Sequence, residues 1–382
     1  MNKNSLLILS LDSYSVFNQK TSFPFGGIEI ENKYHAVGLS SMFDMEVVVI
    51  TRDQGDEIIK SKRLTIVPHP FFKGQGYWDS NKLFFSRLKK RINGEKNVFG
   101  SPEEFYASFH ADFTYMQGLT QEILDFARYS KKSKKKFIFK LAHDNDLGGE
   151  ILSDSFFKSW SKLSLREVEE VYSCADIILV QTPYQKDLLL KRFNRESIIL
   201  FSPTNLVVDE SNIEKKYDVI WVGKDKSFKR PEKLIQIAHE LPYLKFIMLI
   251  HNPSNELLST MPSNVEVLDF VPPDNIESFF KSSKLFLSTS LKEGFANTFL
   301  HAAKFGVPVI SMGSDPNGML SEHLAGVLSG DDISNTVLKI KQLILDKDYY
   351  SQVSAAAKKY VYKFHDCRLI TEQFHRILTS LN

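Results

Sequence analysis

Short apolar runs alternate with helix-length segments along most of the chain, and this alternation constrains the fold more than any other feature. The apolar runs of the first half are rich in β-branched and aromatic residues and lie at 6–11, 45–51, 136–143, 175–182 and 197–203. The segments between them with helical length include 27–43, 118–130 and 183–194. A continuous apolar strand followed by a helix, repeated, is typical of a parallel sheet covered on both faces. The first half is therefore predicted to be one layered α/β domain.

The same alternation begins again after a polar stretch at 205–216. The strand-like runs of the second half lie at 217–223, 243–251, 264–271, 284–290 and 308–311, with helices predicted to start near Pro231, Asp274 and Asn297. We therefore predict a first domain at 1–204, a hinge at 205–216 and a second domain at 217–363. The last segment, 364–382, has apolar residues at helical spacing and predicts a final helix.

Length and composition narrow the class of protein. A chain of 382 residues exceeds the size at which a single hydrophobic core stops growing. Its net charge of +2 creates no overall positive field that would attract nucleic acid. The two cysteines, Cys174 and Cys367, lack the spacing of a disulfide framework or a zinc site. The apolar run after the N-terminus is too short for a signal core, and no run approaches 18 apolar residues. These features predict a cytoplasmic protein without a membrane span.

In open α/β sheets, ligands bind beyond the carboxyl ends of the strands, where loops lead into helices. The first such loop, 23–30, carries Gly26 and Gly27 just before a predicted helix. Paired glycines let a ligand approach the backbone closely, and a helix N-terminus offers free amides to an anion. The same pair also fits an ordinary turn.

The second loop, 221–234, carries several cations. Gly223 ends a predicted strand, Lys224 follows it, and Lys229 and Arg230 precede the proline that opens the next helix. Cations that converge on one loop form a clamp for a diphosphate, because charge-assisted bonds to phosphate are strong. The alternative is a solvated basic loop.

The third loop follows the strand at 136–143. His143 stands at the strand end and can donate a hydrogen bond or act as a base near neutral pH. Asp144 and Asp146 form an Asp-x-Asp string, which binds a divalent metal in some nucleotide-sugar enzymes, although such strings are frequent by chance.

The fourth loop lies within 290–311 and carries Glu293, followed by Gly294 and the small residue Ala296. The small residues leave loop amides accessible, and the Glu293 carboxylate can accept two hydrogen bonds from sugar hydroxyls. His301 follows Glu293 by eight residues, inside the predicted helix.

Together these features resemble the retaining glycosyltransferases of family 4, which have the GT-B fold. The resemblance covers nearly the whole chain, and its most specific part is the stretch 293–310. It implies two Rossmann-like parallel-sheet domains that face each other across a cleft, with the helix of 364–382 crossing back to the first domain. The first domain would bind the acceptor and the second the donor.

The resemblance also implies roles for individual residues. Lys224 and Lys229 would neutralise the diphosphate leaving group, Glu293 would hold the donor sugar, and His143 would lie near the reacting carbon. Gly27, beside Gly26, would contact the β-phosphate. The other residues implied in donor binding are Gly223, Arg230, Gly294, Phe295, Ala296, Asn297 and Thr298. No metal and no other cofactor is implied, since the cations meet the charge of the leaving group.

One departure from the family pattern leaves the function open. The family has a second glutamate that grips the ribose, where this chain has His301, and an imidazole offers one acceptor and one donor in place of a carboxylate. A variant ribose contact, an unusual donor, or a catalytically silent GT-B protein that acts as a scaffold in a glycosylation complex would each explain this. An epimerase or phosphorylase on the same fold fits the stretch 293–310 less well.

Acceptors and surfaces are less specified. A glycan, a lipid-linked sugar or a protein would each serve as acceptor, in the synthesis of a cell-surface glycan or polysaccharide. The basic segments 87–94 and 131–136 would rest peripherally on anionic lipid at the inner membrane face, or simply keep the surface soluble. The aromatic segment 71–78 is a candidate for stacking on an acceptor sugar, or part of a core.

Overall fold

A computed structural model gives the architecture. It describes residues 4–18, 26–53, 57–73, 99–207, 214–269, 271, 273–291 and 294–381. The chain forms two compact units, of which the first comprises Met1–Pro203 with Cys367–Asn382 and the second Thr204–Asp366. Residues 205–207 and 214–216 of the predicted hinge belong to the second unit.

The first unit is built on one sheet of eight described strands in the order β3-β4-β2-β1-β5-β6-β7-β8. The strands are β1 Ser5–Leu9, β2 Glu46–Asp53, β3 Ile59–Lys60, β4 Leu64–Lys73, β5 Phe113–Gln117, β6 Lys136–Lys140, β7 Ile177–Val180 and β8 Ile198–Ile199. All neighbouring pairs are parallel except the short β3, which runs antiparallel to β4.

Helices cover both faces of this sheet. They are α1 Tyr14–Phe17, α2 Gly27–Met42, α3 Pro102–Ala107, α4 Glu122–Lys132, α5 Asp154–Trp160, α6 Leu165–Cys174 and α7 Pro183–Phe193. Alternate residues of a strand face opposite sides, so Leu7 of β1 packs in one core with Phe126 of α4, and Ile8 packs in the other with Leu39 of α2. An apolar run without alternation is the consequence of burial on both faces.

The second unit has a sheet of six described strands in the order β11-β10-β9-β12-β13-β14, all parallel. The strands are β9 Tyr217–Lys224, β10 Phe246–His251, β11 Val265–Asp269, β12 Ser283–Ser288, β13 Val309–Ser311 and β14 Gly326–Leu328. Its helices are α8 Pro231–Glu240, α9 Asn255–Ser259, α10 Pro273–Lys281, α11 Asn297–Lys304, α12 Ile333–Leu345 and α13 Lys347–Phe364. Leu234 of α8 and Phe299 of α11 belong to the cores on opposite faces.

Each sheet has one point at which the strand order reverses. In the first unit the chain leaves β1 toward β2 on one side and returns to β5 on the other, and in the second it leaves β9 toward β10 and returns to β12. The helices that follow the two central strands lie on opposite faces, so a crevice opens between their loops at the carboxyl edge. The loops predicted to carry chemistry follow β1, β6, β9 and β12.

The C-terminal helix, α14 Cys367–Thr379, packs in the first unit. The prediction of one helix from residue 364 was wrong in its start, because α13 ends at Phe364 and α14 begins at Cys367. Between the two helices, Asp366 forms an isolated β-bridge with Thr204, and the backbone N–H of Thr204 donates to the carbonyl of His365 over 2.8 Å. Two helices are therefore separated at the boundary between the units.

A close approach of two helices holds α14 in place. A Cβ added at Gly38 of α2 would lie 2.5 Å from Oγ1 and 2.7 Å from Cγ2 of Thr371 in α14. Thr371 is 1% exposed and β-branched, so its side chain has little freedom to move away. Glycine at position 38 is required by the packing of α14 on α2.

We expect the substitution Gly38→Ala to destabilise the protein. Alanine improves helix propensity by about 1 kcal/mol, but overpacking against a stiff neighbour costs about 1–3 kcal/mol, so a net loss of up to about 2 kcal/mol should appear in urea unfolding. When Thr371 is already replaced by alanine, Gly38→Ala should lower the stability by less than it does in the wild type. A Gly38→Ala protein as stable as the wild type would contradict this account of the contact.

Candidate functional site

Two loops meet at the carboxyl edge of the second unit, where the strand order reverses. The loop from β9 to α8 and the loop from β12 to α11 are joined through Thr289, which is fully buried. The hydroxyl of Thr289 donates to the carbonyl of Lys229 over 2.6 Å and accepts from the indole N–H of Trp221 over 2.8 Å. In addition, the backbone N–H of Leu291 donates to the carbonyl of Phe228 over 2.9 Å. The two loops are thus fixed to each other by directional bonds.

Arg230 completes this junction from its position just before α8. It is 9% exposed, its Nε donates to the carbonyl of Thr289 over 2.7 Å, and its Nη1 lies 2.7 Å from Oδ1 of Asp331. Its backbone has φ of 51°, a strained conformation for a residue with a side chain, at the N-cap of α8. Arg230 therefore joins the two loops, and its role in donor binding stays a prediction, as do those of Lys224 and Lys229.

The two lysines lie at opposite ends of the same loop. Lys224 is the last residue of β9 and is exposed, while Lys229 is half-buried with its Nζ 5.6 Å from the ring centre of Phe228. Gly223, beside Lys224, has a packing reason to be glycine, since an added Cβ would lie 2.6 Å from the indole of Trp221. The indole lies against the strand end and reaches Thr289 from there.

The loop before α11 brings small and apolar residues to the same edge. Gly294 and Phe295 are buried, and the helix begins at Asn297 after Ala296, which supplies no side-chain cap to the first amides. Asn297 and Thr298 are half-buried in the first turn of the helix. The N-terminus of a helix favours a negatively charged group nearby. Glu293, the predicted sugar ligand, lies outside the described residues.

His301 lies in the second turn of α11 beside a carboxylate from α10. Its Nδ1 is 3.4 Å from Oε1 of Glu277, and the ammonium of Lys304 pairs with the same oxygen. The imidazole also stacks on Phe280 with ring centres 5.8 Å apart. Burial acts to raise the pKa of Glu277, but the bonds from His301 and Lys304 outweigh it and lower this pKa to about 2. An ionised carboxylate therefore lies beside His301, and sequence reasoning missed it because Glu277 is 24 residues away on another helix.

In the first unit, the glycine pair begins α2. Gly26 is the N-cap and Gly27 the first helical residue, both exposed, and the N–H of Gly26 donates to Oε2 of Glu29 over 2.6 Å. The φ of Gly26 is −121°, which any residue can adopt. Its dihedral angles therefore do not explain why glycine is used there.

His143 follows β6 and caps the short 3-10 helix Asp144–Leu147. Its Nδ1 accepts the backbone N–H of Asn145 over 3.0 Å, so a neutral imidazole carries its proton on Nε2. The ring lies 5.1 Å from that of Trp160 at a tilt of 41°. His143 can therefore present a hydrogen-bond donor. Its neighbour Trp160 was not predicted from the sequence.

Both carboxylates of the Asp-x-Asp string act as hydrogen-bond acceptors. Asp146 is buried and accepts from the backbone N–H of Ala142 over 2.7 Å and from the indole of Trp160 over 2.9 Å, while Asp144 accepts from Gln185 over 3.0 Å. Burial raises the pKa of Asp146. Within the described part of the chain, no three His, Cys, Asp or Glu side chains are grouped to hold a metal. The string thus has a structural explanation as the turn that orients His143.

The junction at Thr289 leads to a stability prediction. Thr289→Val keeps the shape but leaves the buried indole N–H of Trp221 and the carbonyl of Lys229 without their partner, which costs about 1–3 kcal/mol for each unsatisfied group. Thr289→Ser keeps the hydroxyl and loses one methyl, a cost of about 1 kcal/mol. Chemical denaturation should therefore give a lower stability for Thr289→Val than for Thr289→Ser, and the reverse order would show that these bonds do not hold the loops.

Comparisons with known proteins agree with this arrangement. Residues 207–360, within the second unit, match the family described as "Glycosyl transferases group 1". An uncharacterised glycosyltransferase of Haemophilus influenzae is 23% identical over 192 residues, 47% of this chain and 54% of the relative. One of Methanocaldococcus jannaschii is 29% identical over 180 residues, 40% of this chain and 43% of the relative. The matches therefore span about half the length of these curated relatives.

Solved structures match over the whole chain. Sucrose-phosphate synthase from Thermosynechococcus elongatus has a TM-score of 0.77 at 13% identity, covering 99% of both chains. The Anabaena protein HepE, in complex with UDP and glucose, has a TM-score of 0.69 at 14% identity, covering 99% of this chain and 100% of that one. At such identities the likeness shows the fold alone, and it confirms the predicted GT-B class of two parallel-sheet α/β domains. The family match of residues 207–360 lies within the second domain of this fold.

Proposed function

We propose that this chain is a retaining glycosyltransferase of family 4, which transfers a sugar from a nucleoside diphosphate sugar to a saccharide, lipid-linked or protein acceptor. The product would enter a cell-surface glycan or polysaccharide. The observation that carries the proposal is the junction of the β9–α8 and β12–α11 loops at the strand-order reversal of the second unit. This junction lies within the residues that match the glycosyl transferase family.

The leaving group of such a transfer is a nucleoside diphosphate, whose negative charge grows as the sugar departs. Lys224 and Lys229 on one side, and the first amides of α11 on the other, would stabilise that charge in the transition state. The proposal needs no metal for this purpose. That HepE was solved with UDP and glucose supports a nucleotide sugar as the donor.

Glu293 is proposed to accept hydrogen bonds from hydroxyls of the donor sugar, beside Gly294, Phe295 and Ala296. Retention in this family is thought to proceed by attack on the front face, with the leaving phosphate accepting the proton of the incoming hydroxyl. The protein then contributes positioning and electrostatics, and no nucleophilic side chain is needed. In the first unit, Gly26 and Gly27 are proposed for the phosphate and His143 for the reacting sugar, through its Nε2 donor.

We also propose that His301 and Glu277 together bind the ribose. The carboxylate of Glu277 lies 3.4 Å from His301 and is ionised at neutral pH. An ionised carboxylate can accept from both hydroxyls of a vicinal diol, and the imidazole can orient it. The carboxylate that contacts the ribose would then come from α10, in place of the glutamate that the family has at the position of His301.

The scaffold hypothesis is the second candidate, and the histidine at position 301 is the observation that favours it. A catalytically silent protein would fold in the same way and bind no nucleotide sugar productively. The two candidates therefore differ in donor binding and turnover.

The membrane contact also stays a proposal. Among the described residues, no helix is long and apolar enough to span a bilayer. Lys131, Lys132 and Lys134 of the segment 131–136 are exposed, and Lys132 lies 3.1 Å from Glu103. We propose that a cytoplasmic enzyme contacts anionic lipid peripherally through this segment. The other basic segment, 87–94, and residues 74–78 of the aromatic segment lie outside the described residues.

The enzyme proposal is tested by product analysis with a panel of nucleotide sugars. We expect one of them to be consumed, with the anomeric configuration retained in the product and the nucleoside diphosphate released. Lys229→Ala should reduce transfer by about tenfold or more, since a charge-assisted bond to phosphate contributes about 1.5–3 kcal/mol.

Lys226→Ala is the matched control, because this lysine lies exposed in the same loop and is not assigned to the diphosphate. Its activity should stay near that of the wild type. If a folded wild-type chain neither binds nor consumes any nucleotide sugar, the scaffold hypothesis replaces the enzyme. If Lys229→Ala and Lys226→Ala lose equal transfer activity, the positive charge of the whole loop matters, and Lys229 makes no specific contact with the diphosphate.

The ribose proposal is tested with the nucleoside diphosphate of the active donor and its 2′-deoxy analogue. The wild type should bind the ribonucleotide more tightly, and Glu277→Gln should reduce this preference because a neutral amide accepts more weakly than a carboxylate. Glu256→Gln, on a helix of the same unit, should leave the preference unchanged. Calorimetry that finds the same preference in Glu277→Gln would remove Glu277 from the ribose site.

A further inference from the structure

A charged pair is buried in the first unit at the carboxyl edge of its sheet. Glu31 of α2 is 3% exposed and Lys140, the last residue of β6, is fully buried, and their side chains form an ion pair. Burial acts to raise the pKa of Glu31, but Lys140 and His35 outweigh it and lower this pKa to about 2. Burial lowers the pKa of Lys140, and the Glu31 carboxylate opposes that shift.

Directional bonds from other elements hold the carboxylate. Oε2 of Glu31 accepts from the amide of Gln117, at the end of β5, over 3.0 Å and from the hydroxyl of Ser202 over 3.2 Å. Nε2 of His35, one turn further along α2, lies 3.4 Å from Oε1. The start of α2 is thus connected to the ends of the neighbouring strands β5 and β6 at the carboxyl edge of the sheet.

Stability alone does not explain such a pair. Two charges lose their hydration on burial, and apolar residues of similar volume in their place are often neutral or stabilising. Apolar contacts are not directional, so they would let α2 slide or rotate over the sheet by small amounts. A buried ion pair with three further polar neighbours, Gln117, Ser202 and His35, fixes one arrangement.

The pair also lies close along the chain to the two predicted site positions of this unit. Gly27 precedes Glu31 by one helical turn, a rise of about 6 Å, and His143 follows Lys140 by three residues, about 10 Å of extended chain. No contact of the pair with a substrate is needed, because its effect passes through the two segments that it joins.

We infer that Glu31 and Lys140 are a positioning pair that holds the start of α2, with Gly26 and Gly27, in register with the end of β6, with His143. The inference rests on the proposed function for the meaning of this register, which is the placement of the donor phosphate relative to the reacting sugar. Misplacement by about 1 Å can cost on the order of 100-fold in rate.

The test replaces both charges together, as Glu31→Met with Lys140→Met. We expect this double variant to fold with a Tm equal to or above that of the wild type, while kcat falls about 10- to 100-fold and the donor KM changes by less than about threefold. The donor KM should change less than kcat, because most of the proposed donor contacts, including Lys224 and Lys229, lie in the second unit and are unchanged. The single variants should each lower the Tm, since each leaves one buried charge without its partner.

The matched control removes another buried polar pair of the same unit, Thr114 and Ser130, which bond over 2.8 Å between β5 and α4. Thr114→Val with Ser130→Ala should leave kcat unchanged. A folded Glu31→Met, Lys140→Met protein with wild-type kcat would overturn the inference. If that variant does not fold, Glu31→Asp keeps the charge and withdraws it by one methylene, and an unchanged kcat in it would overturn the inference equally.

Failure of the proposed function gives a different result. If the wild type consumes no nucleotide sugar, amide hydrogen exchange still tests the register. The inference predicts faster exchange in the first turns of α2, residues 27–35, in the double variant, with the amides of β1 and β5 unchanged. Equal protection of α2 in both proteins would contradict it.

Discussion

The hydrogen bonds of Thr289 are the interaction on which the candidate site depends. A parallel sheet brings the ends of β9 and β12 together, but the loops that follow them leave toward opposite faces. The Thr289 hydroxyl and carbonyl, with Trp221 and Arg230, join the two loops at the point where they would otherwise diverge. The loop with Lys224 and Lys229 and the loop that leads into α11 are thereby held together at one edge of the sheet.

This arrangement explains why Arg230 is buried although Lys224 in the same loop is exposed. An arginine has five donors in a rigid fork, which suits a buried junction with a carbonyl and a carboxylate. Lysine carries its charge on a flexible stem and stays hydrated, which suits an exposed contact with phosphate. Arg230 is accordingly buried against Thr289 and Asp331, while Lys224 is exposed. Adjacent basic residues in a sequence can thus have separate structural and electrostatic roles.

The fold was largely predictable from sequence because a doubly covered parallel strand must be apolar throughout. The runs at 6–11 and 217–223 correspond to β1 and β9 for this reason. The strand Phe113–Gln117 was missed, although it lies beside β1, because its Thr114, Tyr115 and Gln117 interrupt the apolar pattern. These polar groups are buried because they bond to other elements, as Thr114 does to Ser130 and Gln117 to Glu31.

The site was predictable only where a residue and its partner are close in sequence. The glycine and lysine positions follow strand ends and could be proposed from that rule. Glu277 beside His301 and Lys140 beside Glu31 join helices and strands separated by 24 and 109 residues, and no local pattern indicates such pairs. The same limit applies to Arg230, whose buried partners come from two other segments.

The most direct test of the central claim is amide hydrogen exchange of the whole chain with and without a nucleoside diphosphate sugar that it consumes or binds. The account predicts slower exchange in two segments of the second unit, residues 224–230 and 294–301, because these would enclose the diphosphate. Protection confined to other segments, with these two unchanged at saturating ligand, would contradict the assignment of the donor site.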